Sequence, residues 1–242
     1  MKAAVFEAPR ALRFTDIPRP AVADGEALVR VDAAGICAGD IYLYLGKNPY
    51  ATYPIVGGHE IAGTVVEVRA SVTDVQCGDR VVVEPFVSCG ACYPCRVGKP
   101  NCCVNLRIIG VHRSGGFADF VAVPVDRLHR IPGELPSAHA ALTEPVALAI
   151  HACRRGEVRA GELVLILGCG PIGLALVKVA RVRGARPLAV DIDASRVAMA
   201  RDLGAEVCSA DEQLTSVIHD LTAGEGVPLV IEATGNPRAM EQ

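Results

Sequence analysis

Five apolar residues, Leu163 to Leu167, run directly into Gly168-Cys169-Gly170-Pro171-Ile172-Gly173, and a helix-prone stretch follows. The whole reads as a buried strand, a glycine turn and a helix. G-x-G-x-x-G is a weak signal by itself, but a strand before it and a helix after it make it a dinucleotide-binding fingerprint. Gly168 permits the tight turn, Gly170 lets a pyrophosphate approach the backbone, and Gly173 lets helix and strand pack closely. The helix start around Ile172 then offers free N–H groups and the positive end of the helix dipole to phosphates. Asp191 closes the next strand, Leu188-Ala189-Val190. A carboxylate there accepts hydrogen bonds from the adenosine ribose and repels a 2′-phosphate, which selects NAD over NADP.

Around this turn the chain alternates. Leu163–Leu167, Pro187–Val190 and Val227–Ile231 have strand character, and Ile172–Arg183 and Ala194–Leu203 have helix character. Such alternation implies βαβ units and a parallel sheet. About four strands can be counted where a complete dinucleotide fold has six, so the second half of that sheet is expected to be incomplete. Residues 1–135 differ in texture, with short β-branched strands such as Ala27–Val31, Gly63–Val68 and Arg80–Val83 between Pro and Gly punctuation, a pattern that suits an irregular β-barrel. An Ala-rich, helix-prone segment, Ser137 to His151, joins the two regions and is broken only by Pro145.

Ten cysteines are many for 242 residues, and five of them fall between Cys89 and Cys103. No apolar leader precedes the first strand-like segment, so the cluster is read as metal-binding in a reducing compartment rather than as a disulfide framework. Cys89, Cys92, Cys95 and Cys103 give C-x2-C-x2-C-x7-C. Four thiolates close a tetrahedral site with no open position, which predicts a structural zinc. Adjacent Cys102 leaves the register of the fourth ligand open.

Three further segments carry ligand types: Gly35-Ile36-Cys37-Ala38-Gly39-Asp40, Gly57-Gly58-His59-Glu60 and Leu142-Thr143-Glu144-Pro145. None compels a metal alone, since a single Cys37 suits buried packing and a lone His59 suits a satisfied core histidine. Together with Gly63, Gly78-Asp79-Arg80-Val81, the four cysteines and the glycine turn, they resemble the zinc-containing medium-chain alcohol dehydrogenases over essentially the whole chain. Glu144-Pro145 is similar to the sorbitol, threonine and sugar-acid branch, and Ile150–Gly156 resembles the sorbitol dehydrogenases. Lys47–Ala51, Asn101–Cys103 and Ile109–His112 are similar to bacterial hexonate 5-dehydrogenases.

The resemblance implies a GroES-like domain over 1–148, with a structural zinc lobe at about 86–108, and a Rossmann NAD-binding domain over 149–242 that is incomplete at its C-terminal end. It implies a catalytic zinc on Cys37, His59 and Glu60, with Glu144 as a fourth ligand or water-bridged partner. Asp40 orients the His59 ring. Arg196 either packs near the adenine or is an exposed helix arginine. Two zinc ions and NAD per chain would then oxidise a secondary alcohol of a polyol or sugar acid to a ketone. The family-length form would be a cytoplasmic homo-oligomer, a dimer or tetramer.

Three departures stand out: Gly39 where relatives carry a relay hydroxyl, Tyr42 where they carry His, and Arg69 where they carry Gly or Ala. The first two put the proton relay in question, with His112 or Tyr42 as replacements; the third touches only a turn. A rival reading is a zinc- and NAD-binding fragment impaired in catalysis, because relatives run about a hundred residues further. A zinc-free quinone reductase of the same superfamily conflicts with the ligand set. A net charge of −3 without charge blocks leaves no footprint for nucleic acid or an anionic membrane.

Overall fold

The computed structural model of the chain describes residues 1–71, 74–209 and 214–241. Its contacts divide it into two compact units, Met1–Glu144 and Pro145–Gln242. The division falls four residues before the boundary expected at 148, inside one helix.

The first unit is built from β1 (Lys2–Ala8), β2 (Ala11–Asp16), β3 (Glu26–Gly35), helix α1 (Ala38–Tyr44), β4 (Ile55–Val56), β5 (Glu60–Arg69), β6 (Arg80–Val83), β7 (Phe86–Val87), helix α2 (Tyr93–Arg96), β8 (Arg107–Ile108), β9 (Phe120–Pro124), β10 (Leu128–Arg130) and helix α3 (Ser137–Ala141). Antiparallel strands form a five-stranded sheet in the order β10-β6-β5-β3-β9 and a three-stranded sheet in the order β2-β1-β4. The backbone bridge between Ala3 and Ala118 links the two. Alternation along the strands buries Val29, Ile61, Val65, Val81, Val121 and Val123 in one core. The β3–β5 register slips between Leu28 and Val29 and again between Val31 and Ala33, and these bulges bend the long pair. The bend brings Gly35, the last residue of β3, opposite Glu60, the first of β5.

The second unit holds most of α4 (Thr143–Arg155), then β11 (Leu163–Leu167), α5 (Pro171–Val182), β12 (Arg186–Asp191), α6 (Ala194–Asp202), β13 (Glu206–Ser209), α7 (Leu214–Thr222) and β14 (Leu229–Glu232). Its four strands are parallel in the order β13-β12-β11-β14, with the fully buried β11 inside. The expected helix over 137–151 is in fact two, α3 and α4, parted at Leu142. Pro145 does not end α4, because it sits in the first turn, where backbone N–H groups have no partner within the helix. No helix among the described residues is long and apolar enough to cross a membrane.

Candidate active site

β3 ends at Gly35 and α1 starts three residues later, with Cys37 in extended geometry at its N-cap. Asp40, three residues into the helix, turns its carboxylate back so that Oδ2 accepts the Cys37 N–H at 2.9 Å. Oδ1 of the same side chain accepts the Gly58 N–H at 3.1 Å. One buried carboxylate thus ties the Cys37 turn to the strand entry that carries His59. The Cys37 Sγ, a His59 ring nitrogen and a Glu60 oxygen all lie within 4.8 Å of one another. Zinc bonds such atoms at about 2.0–2.3 Å, so one ion fits this group with small shifts.

Two further observations fit an ion there. Nδ1 of His59 is buried without a hydrogen-bond partner, 3.8 Å from Asp40 Oδ1. A ring held by a metal through its other nitrogen would complete that bond to the carboxylate. Glu60 folds its carboxylate over Gly35, where an added Cβ would fall 1.9 Å from Oε2. Burial pushes the Glu60 carboxyl up; the facing His59 opposes this and Asp40 adds to it. Burial works against charge on His59 too, but the Cys37 side chain, Asp40 and Glu144 outweigh it and raise the ring to about 9. A metal binding this group must therefore displace a proton. Glu144, in the first turn of α4, is raised by burial, drawn down by His59 and raised again by Glu60. Those interactions put it within electrostatic reach of the group, although it is not one of the three that converge.

The four-cysteine lobe converges as well. Sulfur atoms of Cys89, Cys92, Cys95 and Cys103 lie within 4.8 Å of one another, with Cys92 to Cys95 at 3.4 Å and Cys92 to Cys103 at 3.8 Å. Cys103 Sγ also accepts the N–H groups of Cys89 and Asn105, each at 3.3 Å. Cys102 is exposed and lies outside the cluster, so the geometry selects Cys103 over its neighbour. Backbone N–H groups of Ala91 and Cys92 lower the Cys89 thiol, which favours the thiolate a metal needs. None of the nine described free cysteines is in a disulfide.

In the second unit Gly168 adopts a φ of +97°, and a Cβ on Gly173 would fall 1.8 Å from the Gly168 carbonyl oxygen. A Cβ on Gly170, the N-cap of α5, would meet nothing within 4 Å, so the helix start is open to a ligand. Ile172 packs partly buried on the core of that unit. Buried Asp191 accepts the Cys169 N–H at 2.7 Å and the Asp193 N–H at 2.9 Å. A carboxylate has about four lone-pair sites, so acceptor capacity is left for ribose hydroxyls. Arg196 Nη1 lies 4.0 Å from Asp191 Oδ2, on a half-exposed side chain.

His112 falls outside these groups: its Nδ1 accepts the Ile108 N–H at 3.0 Å, which leaves the proton on Nε2. Tyr42 is exposed on α1. At Gly39 a Cβ would stand 3.6 Å from His59 Cε1 and 3.8 Å from Cys37 Sγ, ordinary contact, so steric crowding does not explain the missing hydroxyl. Arg69 is the last residue of β5 rather than part of a turn, and its side chain donates to the Val22 carbonyl at 3.0 Å and lies 3.4 Å from Asp24 Oδ1.

The sequence reading missed the brace behind His59. The N–H groups of Gly115, Gly116 and Phe117 donate to Val56, Gly58 and Gly57 at 2.8, 2.9 and 3.0 Å. A Cβ on Gly115 would lie 2.1 Å from the Gly58 oxygen, and one on Gly110 would lie 2.6 Å from it. Paired glycines at 115–116 signal a turn, but only the fold shows what the backbone must approach.

Residues 23–133 match the family model described as the alcohol dehydrogenase GroES-like domain, and residues 171–242 match that of the zinc-binding dehydrogenases. L-galactonate-5-dehydrogenase of Escherichia coli K12 is 37% identical, over 99% of this chain and 71% of its own. L-threonine 3-dehydrogenase of Bacillus velezensis is 40% identical, over 94% of this chain and 67% of its own. An alcohol dehydrogenase of E. coli CFT073, solved with NADH, superposes with a TM-score of 0.90 at 34% identity, covering 98% of this chain and 70% of that one. A protein of Sinorhizobium meliloti 1021 bound to NADP does so with a TM-score of 0.89 at 36% identity, covering 99% and 71%.

The brace makes a selective test. Gly115→Ala must push the Gly58 carbonyl away, at a cost of about 1–3 kcal/mol for overpacking. Metal uptake at the His59 group is expected to weaken while the four-cysteine group stays loaded. Chemical denaturation together with metal analysis reads both effects, and equal weakening at the two groups would contradict the brace.

Proposed function

The chain belongs to the zinc-dependent medium-chain alcohol dehydrogenases, and from that premise we propose that it oxidises a secondary alcohol of a polyol or sugar acid to a ketone, with NAD as acceptor and two zinc ions per chain. The observation that carries the reading is the convergence of Cys37, His59 and Glu60 beside Asp40. In this reading Cys37, His59 and Glu60 hold the catalytic zinc and Glu144 is its fourth ligand or water-bridged partner. Cys89, Cys92, Cys95 and Cys103 hold the structural zinc. A zinc ion at the first group supplies Lewis acidity toward an alcohol, and NAD supplies the hydride acceptor.

The chain's own residues do the rest. Asp40 fixes the backbone on both sides of the group and faces the His59 ring. Glu144 would ease ligand exchange by moving on or off the ion. Gly39 supplies no hydroxyl, so the proton leaving the alcohol would pass to solvent by way of exposed Tyr42 or of His112, whose Nδ1 would first have to release the Ile108 N–H. Gly168, Gly170, Ile172 and Gly173 would seat the pyrophosphate of NAD, and Asp191 and Arg196 would hold its adenosine ribose and adenine. The likeness to L-galactonate-5-dehydrogenase supports a hydroxylated, acidic small molecule as substrate. A cytoplasmic homo-oligomer completes the reading.

Zinc analysis and NAD reduction over a panel of polyols and hexonates test the assignment. Wild-type protein is expected to hold two zinc ions. Cys37→Ser should lose one of them and abolish turnover, with little change in thermal stability. Fewer than one zinc in well-folded protein, or full turnover by Cys37→Ser, would overturn it.

Cofactor choice tests Asp191 separately. A buried carboxylate facing a 2′-phosphate costs about 1–3 kcal/mol. Asp191→Ser should narrow the gap between NAD and NADP in kcat/KM. A wild-type enzyme that uses both equally well would remove the role given to Asp191.

A further inference from the structure

Arg80 opens β6 and has no carboxylate partner among the described residues. Its guanidinium instead gathers one short stretch of chain. Nη1 donates to the Pro132 carbonyl at 3.3 Å and to that of Gly133. Nη2 donates to the Leu135 carbonyl and to Ser137 Oγ, the latter at 3.1 Å. The backbone adds the Ile131 N–H, which donates to the Arg80 carbonyl at 3.0 Å. Four side-chain bonds from one planar, permanently charged fork fix the orientation of this segment more firmly than any flexible ammonium would.

That stretch leads straight into α3, and a single residue, Leu142, separates α3 from α4, which carries Glu144 in its first turn. α3 has five residues and no side-chain cap, too short to hold itself in place. Its apolar seat on the sheet sets Ala140 and Ala141 against Ala62 and Val82, with Ala33, Ile131 and Leu135 partly buried against the same cluster. The segment that Arg80 gathers supplies Ile131 and Leu135 to that seat, so the fork at the helix start helps set where α3 ends and α4 begins.

We propose that Arg80 is the positioning residue for Glu144, setting that carboxylate at the Cys37, His59 and Glu60 group through the 132–137 segment. The inference rests on the reading that Glu144 partners the ion held there. Loss of the fork lets α3 shift and draws Glu144 away without touching any of the three converging ligands.

Cobalt placed in the Cys37 group, with zinc kept in the four-cysteine lobe, reports its own coordination through its visible spectrum and its rate of release to a chelator. Arg80→Lys, Glu144→Gln, the double variant and Ser137→Ala are compared with wild type. Glu144→Gln is expected to shift the spectrum and speed release by about 10-fold or more. Arg80→Lys should move both readouts in the same direction, and the double variant should match Glu144→Gln alone. Ser137→Ala, which removes one arm, should give a smaller shift of the same kind, and it decides the matter if Arg80→Lys does not fold. A wild-type spectrum for Arg80→Lys, or for Ser137→Ala in its place, overturns the role of Arg80 while leaving Glu144 standing. So does an added shift in the double variant. An unchanged spectrum for Glu144→Gln overturns the Glu144 reading, and the inference with it.

Discussion

Asp40 is a buried carboxylate, 3% exposed, and taking such a group out of water is costly unless its oxygens are hydrogen-bonded. Both are: one by the Cys37 N–H and one by the Gly58 N–H, with the His59 ring facing the same oxygen as Gly58. Cys37 caps α1 just after β3 ends, while His59 lies at the entry to a separate strand, β5. The carboxylate is the direct link between the two turns. Without it, a thiol and an imidazole from distant parts of the chain would depend on the β3–β5 register alone for their mutual position.

The second unit uses the same device. Asp191 is also buried, and it accepts N–H groups from the glycine turn and from the start of α6. In each unit an aspartate at a strand or helix end fixes loop backbone that sheet hydrogen bonds do not reach. Glycines do the complementary work. At Gly35, Gly115 and Gly173 a Cβ would overlap a carboxylate or a carbonyl oxygen, so bare backbone is what lets these segments approach. Stability and site geometry therefore share the same few positions, and substitutions there should disturb ligand placement before they unfold the sheet.

Much of this was legible in the residues. A glycine turn between a buried strand and a helix restricts the fold because few arrangements satisfy all three features. Thiols, an imidazole and carboxylates at motif spacing restrict the chemistry. The parallel strands around β11 and the two-part organisation follow from such local patterns. Other features depended on contacts far apart in the chain. The choice of Cys103 over Cys102 rests on which sulfur the folded chain brings within reach of the other three, a matter that adjacency in the sequence leaves open. Pro145 reads as a break, but its place in the first turn of α4 makes it harmless. Strand β13 and helix α7 have no counterpart in the sequence reading, although α7 is one-sided, with Val217, Ile218 and Leu221 packed against Leu163, Leu165 and Leu167. The partners of Gly110 and Gly115 lie more than fifty residues away, and Arg80 serves a segment just as distant.

The central claim is that Asp40 preorganises a metal group on Cys37, His59 and Glu60, and metal affinity at that group tests it most directly. Asn at this position keeps the shape but offers one oxygen in place of two, so it can accept only one of the two backbone N–H groups. The measurement is a chelator-competition titration of wild type and Asp40→Asn, each with the four-cysteine group already filled. The expected result is about 10- to 100-fold weaker binding at the Cys37 group, with no change in the lobe. Equal affinity in the two proteins would contradict the claim.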